Sequence, residues 1–479
     1  MDKQFVREEF DRLKSDFNML SKTKKISPEL RVIVSGLVML MEVILSIFLE
    51  KKTKKTKDNS GIPPSQTKKD DSSLSNQGSK GKGKSEQDNI AKNTRTVETI
   101  TTIPVDYCVQ CGESLERTAC RCVERRTKID IVFEKTVEHF DAEVKDCPSC
   151  HTENKGQFPG DISGPLQYGS GIKAFTICLL ISQMVALKRV QKMLNTLIGK
   201  VISETTILNY VIRLHNSLEQ WEVSAKESLL EQHCIHTDET SLRVEKKNYW
   251  IHVYSSGDTT LKCLHRKRGT QAMEDINIIP RYGGTIVHDC WASYLSYSHC
   301  SHGLCGSHIL RELTFVVESN GYRWAKNMKR LLQEACSNVS ESKEKRLSKK
   351  QYARLQRRYR NILTRGESEL PPIAKRSTGQ RGKIAKSDAH NLLERLIKHE
   401  EAVILFTRDS HVPFTNNRAE RDLRMAKVKQ KVSGCFRAEK YAHAYCRISS
   451  FLQTMTNKGI NPLIAIQMAL TGKLELGGE

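Results

Sequence analysis

Apolar and polar positions divide this chain into segments of different character. Over residues 1–50, apolar side chains recur at alternating spacings of four and three. They are Val6, Phe10, Leu13, Phe17 and Leu20, then Leu30, Val34, Leu37, Met41, Ile44 and Phe48. That is a heptad seam, interrupted at Ser27–Pro28, and it predicts a helical, coiled-coil oligomerisation segment. A helix packed in a core and a membrane span compete with this reading. Val32 to Leu49 carries only Glu42 as a charge, and lysines at 51, 52, 54 and 55 follow it. The heptad accounts for the same apolar residues without burying a carboxylate in lipid, so a membrane partner is not expected.

Residues 51–100 are rich in Lys, Ser, Gly and Asp and predict a disordered basic linker. Residues 161–232 read as helices, with a break at Gly199 and a cap at Ser203. The spacing around Val190 to Leu214 suits either a helix–turn–helix that reads DNA or a supporting bundle. Strand patterns follow: CIHTDE from Cys234, NYWIHVYSS from Asn248, TTLKCLHRK from Thr259 and GGTIVHDC from Gly283, with a turn at Gly257–Asp258. Residues 320–400 return to a helical pattern and are strongly basic. Their run KEKRLSKKQYARLQRRYRNILTR interleaves Tyr352 and Tyr359. Residues 437–479 form closing helices, with Pro462 near a helix start.

Charge sharpens the picture. The 479 residues hold 77 Lys and Arg against 55 Asp and Glu, for a net charge of +22. The isoelectric point is near 9.3, so the natural partner is a polyanion, and nucleic acid fits basic residues spread along the chain. The first residues, MDKQFVREEF, are charged and unlike a signal peptide. A reducing, cytoplasmic location follows, and cysteine pairs read as metal ligands before disulfides. Two CxxC units, Cys108 with Cys111 and Cys147 with Cys150, predict a structural Zn²⁺ site in a small domain over 101–160. Lys128 to Glu138, between them, alternates like a strand pair, and Cys120 and Cys122 are competing thiols.

Asp238 and Asp289 each fall at or just past the end of an apolar strand pattern. Glu420 lies in FTNNRAERDLRMAKVKQKVSGCF, a predicted helix capped by Thr415 or Asn416, with Leu423 and Val428 toward a core. Glu420 is either half of a surface ion pair with Arg424 or a metal ligand beside a phosphate track. Two strand-end aspartates and a helical glutamate suit a pair of Mg²⁺ or Mn²⁺ ions that clamp the two oxygens of an in-line phosphoryl transfer. Glu239 points the other way on an extended strand and is a second choice. Arg418, Arg421 and Arg424 lie within about a turn of Glu420 and suit bidentate phosphate contact. Cys305 and His308 make half a metal site. The preferred reading has His308 contacting DNA or orienting the active site, with Cys305 buried.

HTDET, DCWASY, CGSHILREL, TNNRAERDLR and KQKVSGCFR, in that order, resemble the transposases of the insertion-sequence-66 family. The resemblance runs from about Cys108 to near Leu470. It implies an RNase H-like α/β catalytic domain over 233–436 with a helical insertion at about 320–400. It also implies a DDE triad on Asp238, Asp289 and Glu420, a zinc-binding domain, and DNA (transposon ends and target) as partner. Homo-oligomers and accessory proteins of the element are further expected partners. The expected activity is metal-dependent strand cleavage and strand transfer. The alternatives are a catalytically inactive zinc-containing DNA-binding regulator and a membrane-tethered nuclease.

Overall fold

The computed structural model describes residues 100–129, 134–160, 162–373 and 386–473, with scattered positions before residue 39. The heptad segment, apart from a helical stretch at 12–17 and a few single positions, and the Lys-rich linker lie outside the described residues. Two compact units form. Among the described residues, one falls within Gln77–Gln220 and Phe451–Glu479, the other within Trp221–Ser450.

In the unit that begins at Gln77, strands β1 (Val144–Asp146) and β2 (Glu153–Lys155) pair antiparallel around the second CxxC turn. The alternation between Lys128 and Glu138 yields no strand among its described residues. Its apolar side chains have no face to cover: Ile129 and Val137 stand in solvent. Helices Ser170–Ile177, Leu187–Ile198 and Glu204–Ser217 follow. Gly199 ends the second of these at φ +71, a left-handed cap that glycine adopts without a Cβ clash. Ser203 starts the third, its hydroxyl accepting the Thr206 N–H at 3.0 Å. Ile207, Tyr210, Val211 and Leu214 are the buried face of that helix. The closing helix Pro462–Leu470 packs on Ser170–Ile177 and Glu204–Ser217, so the chain end joins the helical region rather than standing apart.

The other unit is built on a five-stranded sheet of order β5-β4-β3-β6-β7. Its strands are β3 (Cys234–Val244), β4 (Lys247–Ser256), β5 (Thr259–His265), β6 (Thr285–His288) and β7 (Ser301–Leu304). The first three form an antiparallel meander, and β6 and β7 run parallel to β3. Four of these strands match the predicted ones. The hairpin between β3 and β4 turns on Glu245 and Lys246, both at positive φ (+50 and +63). That hand of two-residue turn matches the strand twist. Strand β7 has no alternating apolar pattern to announce it. It forms because β6 offers an open edge and because Gly303 lets Val412 approach: a Cβ there would lie 2.8 Å from the Val412 Cγ1.

Alternate residues of the central strands feed opposite cores. Ile235 and Ile286 join Tyr254, Met273, Tyr282 and Tyr294. Cys234 and Val287 join Ile309, Leu313 and the insertion. The insertion is helical as expected, over Arg323–Glu341, Lys349–Glu369 and Asp388–Lys398. Its basic helix is not uniformly a DNA-facing surface. Tyr359 is fully buried and donates to the Leu396 carbonyl at 2.9 Å. Arg358 and Arg360 pair with Glu334 and Glu400.

Candidate active site

Parallel pairing of β3 with β6 sets Cys234 opposite Thr285, Ile235 opposite Ile286 and His236 opposite Val287. β6 ends at His288; carried two residues past the last pair, that register would bring Asp238 opposite Asp289, on the same face by the two-residue side-chain period. Both are half-buried. The Asp238 carboxylate accepts the Glu239 N–H at 2.8 Å. Burial pushes Asp238 well up from the usual carboxylate range, helped by the charges of Glu239, Asp289 and Glu420. Asp289 is raised by burial, against the pull of Arg268. Glu420 is raised by burial, with Arg311 and Arg424 opposing and Asp289 adding to the rise. Asp238 therefore sits in the fields of Asp289 and Glu420, and Glu420 in that of Asp289, while the three carboxylates do not gather within ligating reach of one another.

Glu420 rides the helix Asn417–Ser433, which packs on β3 and β4. Asn416 occupies the cap position, yet its side chain caps nothing. Instead its amide donates to the Thr237 carbonyl at 2.8 Å and its oxygen meets His236 Nδ1 at 2.9 Å. Its backbone N–H donates to Cys305 Sγ at 3.2 Å. The start of the Glu420 helix is thereby riveted beside Asp238. Two residues past Glu420, buried Asp422 accepts from Ser255 on β4 (2.7 Å) and Thr260 on β5 (3.0 Å). Leu423 is buried and Val428 half-buried, as the helical pattern predicts.

The cations divide. Arg421 and Arg424 are exposed. Arg418, expected on phosphate, is half-buried with its guanidinium on the Gly257 and Thr259 carbonyls of the β4–β5 turn. His308 is also half-buried, its Nδ1 3.6 Å from Glu420 Oε1. Burial and then Arg311 push His308 down to about 4. Both facing atoms, His308 Nδ1 and Glu420 Oε1, are buried without a hydrogen bond. Cys305 is buried as read, and its Sγ, His308 and Glu420 gather within ligating reach of one another.

Glu239 faces away, as its parity predicts. It accepts from Tyr294 at 2.7 Å and pairs with Arg268 at 2.6 Å. Burial and the charge of Asp289 push it up to about 7. Arg268 stacks on Trp291 (4.2 Å) and Trp250 (5.0 Å), which fixes the cation whose charge opposes the rise of Asp289. Asp422 and Arg268 carry no expectation from the sequence, and Asn416 is expected there only as a helix cap. An Asn beside a helix start and an Arg three residues past a strand end carry no signal of partners so far along the chain.

Cys108 and Cys111 form one knuckle, with the Gly112 N–H on the Cys108 carbonyl at 2.9 Å. Cys147 and Cys150 form another, with the His151 N–H on the Cys147 carbonyl at 2.8 Å. Hydrogen bonds with Cys111 and Gln110 lower Cys108 toward the thiolate, and hydrogen bonds with Thr152 and then Cys147 lower Cys150. The four sulfurs do not meet in a single cluster. No helix among the described residues is long and apolar enough to cross a membrane.

No curated protein matches the chain. The family model described as Transposase IS66 family matches residues 165–444, which include the whole sheet, the helical insertion and the Glu420 helix. More than half of the 479 residues fall within that match, and the chain belongs to the IS66 family of transposases.

Proposed function

We propose that this transposase cuts its element's DNA ends and joins them to target DNA at a site made by Asp238, Asp289 and Glu420. The parallel register of β3 and β6, which would set Asp238 opposite Asp289 if carried two residues on, supports this reading. The strand order supports an RNase H-like core: three antiparallel strands, then two parallel to the first, with the first aspartate on the opening strand. The residues fit divalent ions of the magnesium class. Asp289 and Glu420 add to the rise in Asp238's affinity for protons, and one Glu420 oxygen is buried without a hydrogen bond, a demand that a bound cation would meet. Asp238, Asp289 and Glu420 would hold Mg²⁺ or Mn²⁺ there, and the ions would supply charge neutralisation and Lewis acidity for an in-line phosphoryl transfer.

The chain's own residues do the rest. Asn416 and Asp422 hold Glu420 against β3 and β4. Arg421 and Arg424 face solvent where flanking phosphates would lie. Cleavage by water leaves a 3′-hydroxyl, and that hydroxyl attacks the target strand, so no covalent protein nucleophile is required. The helix pair Leu187–Ile198 and Glu204–Ser217 is the proposed reader of the element's ends. The two cysteine knuckles are the proposed ligands of one structural Zn²⁺. Four thiols have no attraction for each other, and the ion would bring the knuckles together. The heptad segment is the proposed oligomerisation element, and the reaction is placed on cytoplasmic DNA, with accessory proteins of the element as further partners.

The test is cleavage of labelled element-end DNA in Mg²⁺, with wild type beside Asp238→Asn. Wild type should nick, and the variant should bind with similar affinity and not nick. Nicking by Asp238→Asn at the wild-type rate would remove Asp238 from the site. Binding without nicking by both would favour a DNA-binding regulator.

A further inference from the structure

Away from the carboxylates, His233, Asp409 and His411 converge from distant parts of the chain. His233 Nε2 lies 2.8 Å from one oxygen of Asp409, across a separation of 176 residues. His411 Nδ1 lies 3.3 Å from the other oxygen. All three ligand atoms fall within 4.8 Å of one another. Two imidazoles and a carboxylate are a donor set for borderline divalent ions such as Zn²⁺. Ligand atoms about 2.0–2.2 Å from a tetrahedral ion lie about 3.3–3.6 Å apart, so atoms already within 4.8 Å of one another need close by about 1.5 Å at most. The side chains are about 57%, 23% and 66% exposed, which leaves room for a water as fourth ligand.

The backbone is already fixed on both sides. The His233 carbonyl accepts the Thr285 N–H at 3.0 Å, and the Asp409 N–H donates to the Leu405 carbonyl at 3.0 Å. The His411 N–H donates to the Asp409 carboxylate at 2.9 Å and holds it facing both rings. A plain His–Asp ion pair would account for one imidazole on the carboxylate. It does not account for two that take opposite oxygens with their rings 4.5 Å apart. The Cys305–His308–Glu420 group is a weaker case, because it shares Glu420 with the site already described.

We propose that His233, Asp409 and His411 bind a transition-metal ion of the zinc class and clasp the residue before β3 to the loop that leads into the Glu420 helix. The helix begins at Asn417, six residues past His411. Such an ion would stiffen the approach to Glu420 without being part of the reaction.

The test uses tag-free full-length protein, stripped with chelator and titrated with Zn²⁺ by calorimetry, beside His233→Ala/His411→Ala. Any cysteine site is common to both, so the difference isolates this one. Wild type should take up one more Zn²⁺ per chain, and its melting midpoint should rise further on Zn²⁺ addition. Asp409→Asn keeps an acceptor for the His411 N–H and so guards against misfolding. It should weaken the extra site about ten-fold or more. Equal stoichiometry and equal thermal shifts in wild type and the variants would overturn the proposal.

Discussion

Single residues decide whether the carboxylates are held in place. Asn416 is buried and makes three contacts, two of them flanking Asp238 on β3. Asn416→Ala leaves the Thr237 carbonyl and His236 Nδ1 unpaired, at a cost of about 2–4 kcal/mol. Denaturant unfolding should show that loss, and nicking should fall as well, because the start of the Glu420 helix is freed. His252 sets an acid limit. It is buried on β4, and burial pushes it down to about 4, against a weak contact with the Lys267 carbonyl. The folded value lies below the unfolded one near 6.5, so the unfolded chain binds the extra proton. Stability is full above about pH 6.5 and is lost as pH falls toward 4, by about 2 kcal/mol at pH 5 from this group. His252→Gln should flatten the drop in melting midpoint between pH 7 and pH 5. An unchanged drop would mean that His252 is not buried as a neutral ring.

Among the elements, the loop before the Glu420 helix and the helix Gly306–Asn320 meet without spare room. The Gly306 N–H donates to the Phe414 carbonyl at 2.7 Å, and a Cβ on Gly306 would lie 2.2 Å from the Phe414 ring. The ring is itself packed on Phe406 at 4.8 Å, so it has little freedom to yield. Gly306→Ala should destabilise by about 1–3 kcal/mol. It should also lower nicking more than end binding, because Phe414 lies just ahead of the Glu420 helix. Calorimetric melting and the nicking assay check the two parts. The strands themselves were legible: β3 to β6 follow from apolar runs and turn residues. Strand β7 was not, because SHGL has no periodicity and pairs only where β6 offers an edge. The basic helix Lys349–Glu369 was legible as a helix. Its buried Tyr359 was not, since residue type alone does not say which face meets the core.

For the whole molecule, the proposed zinc domain gives a composition that can be weighed. Purified protein should carry Zn²⁺ by plasma mass spectrometry, and Cys111→Ser/Cys150→Ser should carry one equivalent less. The same variant should keep the melting of the sheet unit if the two compact units unfold independently, so a calorimetric trace reports both. A zinc content unchanged by the double substitution would rule out the knuckles as ligands.

Local chemistry let the sequence determine much of this protein. Apolar period separates strands from helices, Gly199 and Ser203 punctuate the helices, and paired CxxC units mark two knuckles. Two strand-end aspartates and a helical glutamate name a carboxylate set, and family motifs stand in order around them. Only the tertiary structure decided what each polar group is for. Asn416 leaves its cap for β3, Arg418 turns to the β4–β5 carbonyls, and Cys305 receives an N–H 111 residues away. His233 meets Asp409 across 176 residues. Such contacts depend on which strand lies beside which, and that order comes from burying both faces of one sheet at once, a condition that no local window of sequence contains.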